Sequence, residues 1–187
     1  MSDKPETALI LVDVTNSFFL EGMPNCYPAA AEVLESLRRL LATARAAGRI
    51  VVHAVERHYP GFNDHEWRKL PRHHFIGDID QQIFAGFEPQ GEREVLIGKR
   101  RYSAFFATDL ALFLHEQKIE RVVLAGVKTN VCIRATAQDA FANGFDVVVP
   151  REATNSNRPH LAEASLEDID RYIGSVVALD AAMEMLR

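Results

Sequence analysis

Cysteine is scarce in this chain: Cys26 and Cys132 are its only two, and neither belongs to a CxxC pair or a Cys/His ligand cluster. That excludes a disulfide framework and argues against structural zinc. Long apolar runs are missing as well. The polar start, Met1 to Thr7, leads into a run that Asp13 breaks, too short for a signal-peptide core or a membrane span. The expected location is cytoplasmic, with no membrane partner. A basic excess is also absent, since the formal net charge is −5 with the two signs interspersed. No face resembles that of a nucleic-acid binder, so the expected partner is a small molecule. Repeats and low-complexity segments are absent too. What remains is 187 residues, 48% of them hydrophobic, enough to bury the core of one domain spanning 1–187.

The apolar runs alternate with helical patterns. Ala8 to Val12 reads as a strand that delivers Asp13 at its end. Thr15 to Pro28 reads as a loop, and Ala29 to Ala47 as a helix through Val33, Leu37, Leu40, Leu41 and Ala44, stopped by Gly48. Arg49 to Val55 is a second strand. The stretch 56–91 has no sustained period and is rich in His, Pro, Gly and aromatics, so it reads as a pocket wall. Glu94 to Gly98 is a third strand with Lys99 at its end. A helix follows through Leu110 to His115, starting near Ala107 or Thr108. Val122 to Ala125 is a fully buried strand closed by Gly126, followed by a helix that carries Ile133, Ala137, Ala140 and Phe141. Phe145 to Val149, Leu161 to Tyr172, Ser175 to Ala178 and a helix from Asp180 complete the alternation. This pattern predicts an α/β fold, a three-layer αβα sandwich around a largely parallel sheet.

Chemistry-bearing residues gather at strand ends, where open parallel sheets bind ligands. Thr129 and Asn130 offer oxygens to cap the helix after Gly126, which places Cys132 in its first turn. Free backbone N–H groups there favour a thiolate. Most free cysteines are small buried hydrophobes, Asp13 alone could cap a turn, and Lys99 alone could be a solvated charge. Together, an acid, a base and a nucleophile at three equivalent strand ends point to catalysis. Asp13 would accept the thiol proton, Lys99 would supply positive charge, and Cys132 would attack a carbonyl-like carbon. Cys26, in a Pro-flanked loop, reads as an ordinary thiol, and His53 as a core histidine.

Leu11-Val-Asp13, Lys99 with Arg101-Tyr-Ser-Ala-Phe105, and Gly126-Val-Lys-Thr-Asn-Val-Cys132 with Ala137-Gln-Asp-Ala140 occur here in one order. With them the chain resembles the isochorismatase-like cysteine hydrolases, among them nicotinamidases, N-carbamoylsarcosine amidase and ureidoacrylate or biuret amidohydrolases. The resemblance runs from Leu9 to Leu186. It implies a catalytic triad of Asp13, Lys99 and Cys132, and a cis peptide between Val127 and Lys128. It also implies an oxyanion hole from the backbone N–H groups of Lys128 and Cys132, and a homodimer or homotetramer. The expected activity is hydrolysis of a C–N bond in a small amide, carbamoyl or ureido compound without a metal or other cofactor. The alternatives are a metal-assisted nicotinamidase and a non-catalytic redox thiol protein. Phe19, Phe62, Trp67 and Tyr102 are the expected substrate contacts. Thr15 and Ser17 replace residues usual after the first strand of that family. Lys128 is unusual beside an oxyanion hole, and could favour a carboxylate-bearing substrate or point into solvent. Glu56-Arg-His58 with His65 only loosely resembles the nicotinamidase metal ligands.

Overall fold

The computed structural model describes residues 5–23 and 25–187. The first four residues of the polar start, and residue 24 in the Cys26 loop, lie outside the described residues. Seven strands form one sheet: β1 (Thr7–Val12), β2 (Val51–Glu56), β3 (Glu94–Lys99), β4 (Arg121–Val127), β5 (Asp146–Pro150), the two-residue β6 (Thr154–Asn155) and β7 (Ser175–Val177). Their order is β3-β2-β1-β4-β5-β7, with β6 beside the end of β4, and every pairing is parallel. Strands β1, β2 and β4 are buried almost throughout because helices cover both their faces.

Among the described residues the α-helices are α1 (Asn16–Phe19), α2 (Leu34–Ala46), α3 (Leu110–Glu116), α4 (Arg134–Ala142), α5 (Pro159–Tyr172) and α6 (Leu179–Leu186). Alternate residues of β1 sort into two cores. Ala8, Ile10 and Val12 pack with Leu110 and Leu114 of α3, Ala137 of α4 and Ile169 of α5. Leu9 and Leu11 pack with Leu37, Leu40 and Leu41 of α2 and Ala182 of α6. The expected three-layer sandwich is therefore the observed one. In detail, the helix expected from Ala29 begins as a tight 3-10 stretch, Pro28–Val33, before α2, and the helix expected near Ala107 starts at Leu110. The long stretch 56–91 holds only short turns, His65–Arg68 and Ile79–Gln81, and ladder bridges from His58 to Phe75 and from Thr15 to Ile83.

The chain leaves β1 toward β2 and β3 on one side and reaches β4, β5 and β7 on the other. The strand order thus reverses between β1 and β4, and the carboxyl ends of these strands frame a crevice.

Candidate active site

Asp13 is the first residue beyond β1. Its φ of 55° is a left-handed conformation that Asp adopts more readily than most residues, and its N–H donates to the Ala54 carbonyl at 2.8 Å. Strand β4 approaches this point because residue 126 is glycine. Gly126 has φ of 123°, and a Cβ there would stand 2.0 Å from the Val12 carbonyl oxygen. Lys99 ends β3 directly opposite Glu56, the last residue of β2. Cys132 follows β4 in a wide π turn, Thr129–Ile133, in which the Ile133 N–H reaches the Lys128 carbonyl at 3.2 Å. Such turns recur at functional sites. The expected capping by Thr129 or Asn130 is not found. The Thr129 and Thr154 hydroxyls bond each other at 2.8 Å, fastening the turn to β6, and no side chain caps the turn.

The three residues that sequence reasoning singled out meet at one buried point. Lys99 Nζ lies 2.8 Å from Asp13 Oδ2, 3.6 Å from Cys132 Sγ and 3.6 Å from Glu56 Oε2. Asp13 Oδ1 accepts from the Glu56 N–H at 2.9 Å. Lys99 pairs with Oδ2, which has no further hydrogen-bond partner among the described residues and so keeps a lone pair for a proton. The Val127–Lys128 peptide is cis, as the family resemblance implied.

Burial sets the resting charges. It opposes the Lys99 charge, but Asp13, Cys132 and Glu56 outweigh it and hold the ammonium above the ordinary lysine range. Burial lifts the Asp13 carboxyl against the pull of Lys99, and Glu56 adds to the lift. It also raises the Cys132 thiol well above its ordinary range; Lys99 opposes this, while Asp13 and Glu56 add to it. The expectation of a resting thiolate is thereby corrected, because desolvation of a buried anion outweighs the favourable start of a helix. The Cys132 thiol thus lies beside a carboxyl whose proton affinity burial raises, the direction that suits a general base.

A cavity of about 150 Å³ opens over Cys132, and Phe18, Tyr102, Lys128, Glu56 and His73 are among its walls. Of the expected substrate contacts only Tyr102 lines it. Phe19 turns away into the core against Phe84, while Phe18, its neighbour in the single turn of α1, faces the cavity. Phe62 is 71% exposed and lies elsewhere. Trp67 packs against His58 and Phe75 beneath Arg72 and borders a separate surface hollow together with His65. The stretch 56–91 does wall the cavity, but through Glu56, Leu70 and His73. His53 is buried, as expected, and is paired with Glu94 at 2.9 Å.

Beside the triad, Glu56, His58, Glu66 and His73 converge with one ligand atom each within 4.8 Å. The loose pattern of Glu56, His58 and His65 therefore splits, with Glu66 and His73 in the cluster and His65 outside it. Both histidines tie one ring nitrogen outward, His58 Nδ1 to Asp64 at 3.0 Å and His73 Nδ1 to the Pro71 carbonyl at 2.7 Å. Their Nε2 atoms both turn to Glu56 Oε1, at 3.0 and 2.8 Å. This is how outer-sphere partners orient metal-binding imidazoles. Both Glu66 oxygens are buried without a hydrogen-bond partner among the described residues, and burial followed by Glu56 pushes the carboxyl up to about 7. A cation would satisfy those oxygens, so the residues present fit a divalent metal. Sequence spacing could not have found His73 or Glu66, because the intervening turns have no periodic signal.

The Isochorismatase domain model matches residues 7–181. The chain belongs to the isochorismatase family. Within it, the chain is 39% identical to maleamate amidohydrolase of Pseudomonas putida over 96% of this chain and 86% of that protein. It is 30% identical to N-carbamoylsarcosine amidase of an Arthrobacter species over 96% of this chain and 70% of that protein. It is also similar to the crystal structure of nicotinamidase PncA from Bacillus subtilis, with TM-score 0.84 and 33% identity over 92% of this chain and 99% of that one. No helix among the described residues is long and apolar enough to cross a membrane.

Proposed function

We propose that this isochorismatase-family amidohydrolase cleaves the C–N bond of a small amide, carbamoyl or ureido compound through a covalent intermediate on Cys132. The observation that carries this reading is the Lys99 ammonium, 2.8 Å from Asp13 and 3.6 Å from Cys132 in a buried cluster. Asp13 takes the thiol proton as Sγ attacks the carbonyl carbon, and Lys99 stabilises the thiolate as it forms. The backbone N–H groups of Lys128 and Cys132 receive the oxyanion. Asp13 returns the proton to the leaving nitrogen, the amine departs, and a thioester remains. Asp13 then deprotonates a water that attacks the thioester, which frees the acid and restores the thiol. The names of the relatives, an amidohydrolase and an amidase, support C–N hydrolysis.

A second reading, a metal-assisted nicotinamidase, is favoured by the cluster of Glu56, His58, Glu66 and His73 and by the likeness to the Bacillus subtilis structure. A divalent cation held by these four residues would supply a Lewis acid at the cavity wall. Ammonia release from a panel of amides, carbamoyl amino acids, ureides and nicotinamide, together with metal analysis of the purified protein, separates the two readings. On the substrate so found, Cys132→Ser is expected to lower turnover by about 10³-fold or more, because an alcohol is far harder to deprotonate than a thiol. Cys26 is exposed and is not among the residues that line the cavity, so Cys26→Ser should match wild type. Mass spectrometry of enzyme quenched in turnover should find the adduct on the Cys132 peptide. An adduct on Cys26, or full activity in Cys132→Ser, would overturn the mechanism.

A further inference from the structure

The cations around the reaction centre are already matched by acids: Lys99 by Asp13 and Glu56, and Arg100 and Arg101 by Asp64. Lys128 is the exception. Among the described residues its ammonium makes no ion pair and no hydrogen bond, although it lines the same cavity as Cys132. A half-buried lysine ordinarily extends its head into water. Here Nζ lies instead over two aromatic faces, 5.7 Å from the centre of the Phe18 ring and 5.4 Å from that of Tyr27. Both rings are held in place. The Tyr27 hydroxyl donates to Asn155 Oδ1 at 2.6 Å, and the Phe18 ring rests against His74 at 5.6 Å.

The ammonium is therefore presented from a prepared seat, and little side-chain freedom remains to be lost when a ligand arrives. Burial lowers its hold on its proton, with the neighbouring Cys132 opposing; an anion delivered to Nζ would offset that cost. Glu56, the acid on the cavity wall, is engaged by Lys99, His58 and His73. An incoming anion is the partner that Lys128 lacks. The cavity is about 150 Å³, the size that in an engineered protein cavity holds a benzene ring, so the anion must lie only a few bonds from the scissile carbonyl.

We propose that Lys128 is the specificity-determining residue of this site, receiving a substrate carboxylate, so that the preferred substrates are small amides or carbamoyl compounds with a free carboxylate close to the scissile bond. The proposal rests on Cys132 being the attacking group, and its test has an arm that does not need turnover. In the first arm, kcat/KM is compared for succinamate and its neutral counterpart succinamide in wild type, Lys128→Met and Lys128→Arg. Methionine keeps the apolar stem over the two rings and removes the charge. The succinamate-to-succinamide ratio should fall by roughly 10–100-fold in Lys128→Met, the weight of one charge-assisted hydrogen bond, chiefly through KM. Lys128→Arg should recover part of it. A ratio within about threefold of wild type, including the case in which both substrates slow together, overturns the proposal.

In the second arm, Cys132 is alkylated with iodoacetate and with iodoacetamide, and the adduct on its peptide is quantified. The iodoacetate-to-iodoacetamide rate ratio should fall by a similar factor in Lys128→Met, whatever happens to the absolute thiol reactivity. This arm decides the matter if neither amide is hydrolysed: a falling ratio sustains the anion seat while the hydrolase reading fails, and an unchanged ratio removes the seat.

Discussion

Replacing Asp13 with Asn is nearly isosteric, yet the surroundings of this side chain leave no orientation that suits an amide. Oδ1 accepts from the Glu56 N–H at 2.9 Å, and Oδ2 stands 2.8 Å from the Lys99 ammonium. An amide has one acceptor and one donor end. Whichever way it turns, its NH₂ meets another donor, inside a site where Asp13 and Lys99 are both fully buried. Leaving one such group unsatisfied costs about 1–3 kcal/mol. For a chain of this length that corresponds to roughly 2–4 °C in Tm per kcal/mol. Loss of the proton acceptor acts separately on turnover, by about 10²–10⁴-fold. The variant should therefore fold at 25 °C, melt a few degrees early, and be nearly inactive. The assay is ammonia release on the best amide from the panel, alongside thermal unfolding with and without a product-like dicarboxylate. Turnover within about threefold of wild type would exclude Asp13 as the base. A large loss of fold with activity per folded molecule intact would show that Asp13 serves only the structure.

Gly126→Ala places a Cβ 2.0 Å from the Val12 carbonyl oxygen at a φ that side chains avoid, so more than about 4 kcal/mol of stability should be lost; a urea midpoint equal to wild type would show that β1 and β4 do not close as described. Glu94→Gln weakens a buried ionic contact, since Glu94 holds Arg45 at 2.7 Å and His53 at 2.9 Å, and about 1.5–3 kcal/mol should be lost at pH 7. Burial lifts the Glu94 carboxyl, but Arg45 and His53 outweigh it and leave its pKa depressed. A depressed carboxyl stabilises above its unfolded pKa of about 4.3 and loses that contribution as pH falls through its lower folded value. The stability gap between wild type and Glu94→Gln should thus be constant above about pH 5 and close in more acidic solution; a gap that widens on acidification would refute the pairing.

The strands and the main helices are legible in the sequence because the physics that forms them is local or pairwise. Runs such as Ala8 to Val12 and Val122 to Ala125 are apolar at every position, as strands covered on both faces must be, and Leu37, Leu40, Leu41 and Ala44 recur at helical spacing. Asp13, Lys99 and Cys132 could be nominated because each stands where a readable run stops. By contrast, Thr154 and Asn155 are too few to announce a strand. The stretch 56–91 carries no period, so nothing in its order distinguishes His73 and Glu66, which enter the buried cluster, from His65, which does not.

The sequence by itself determined the alternating α/β layers, the parallel sheet and the three ionisable residues at its carboxyl edge, since burial pattern and strand polarity are written in the order of residues. Tertiary structure alone decided the rest. The single turn of α1 sends Phe18 to the cavity and Phe19 to the core, and Thr129 is claimed by Thr154 rather than by a helix end. Among the described residues Lys128 is left without a carboxylate, while Arg100 and Arg101 both pair with Asp64. The state of Cys132 belongs here too. Whether a thiol keeps its proton depends on how much water and how many charges surround it, and that environment is assembled from β1, β2, β3 and the turn after β4, segments distant in the chain that only the folded sheet brings together.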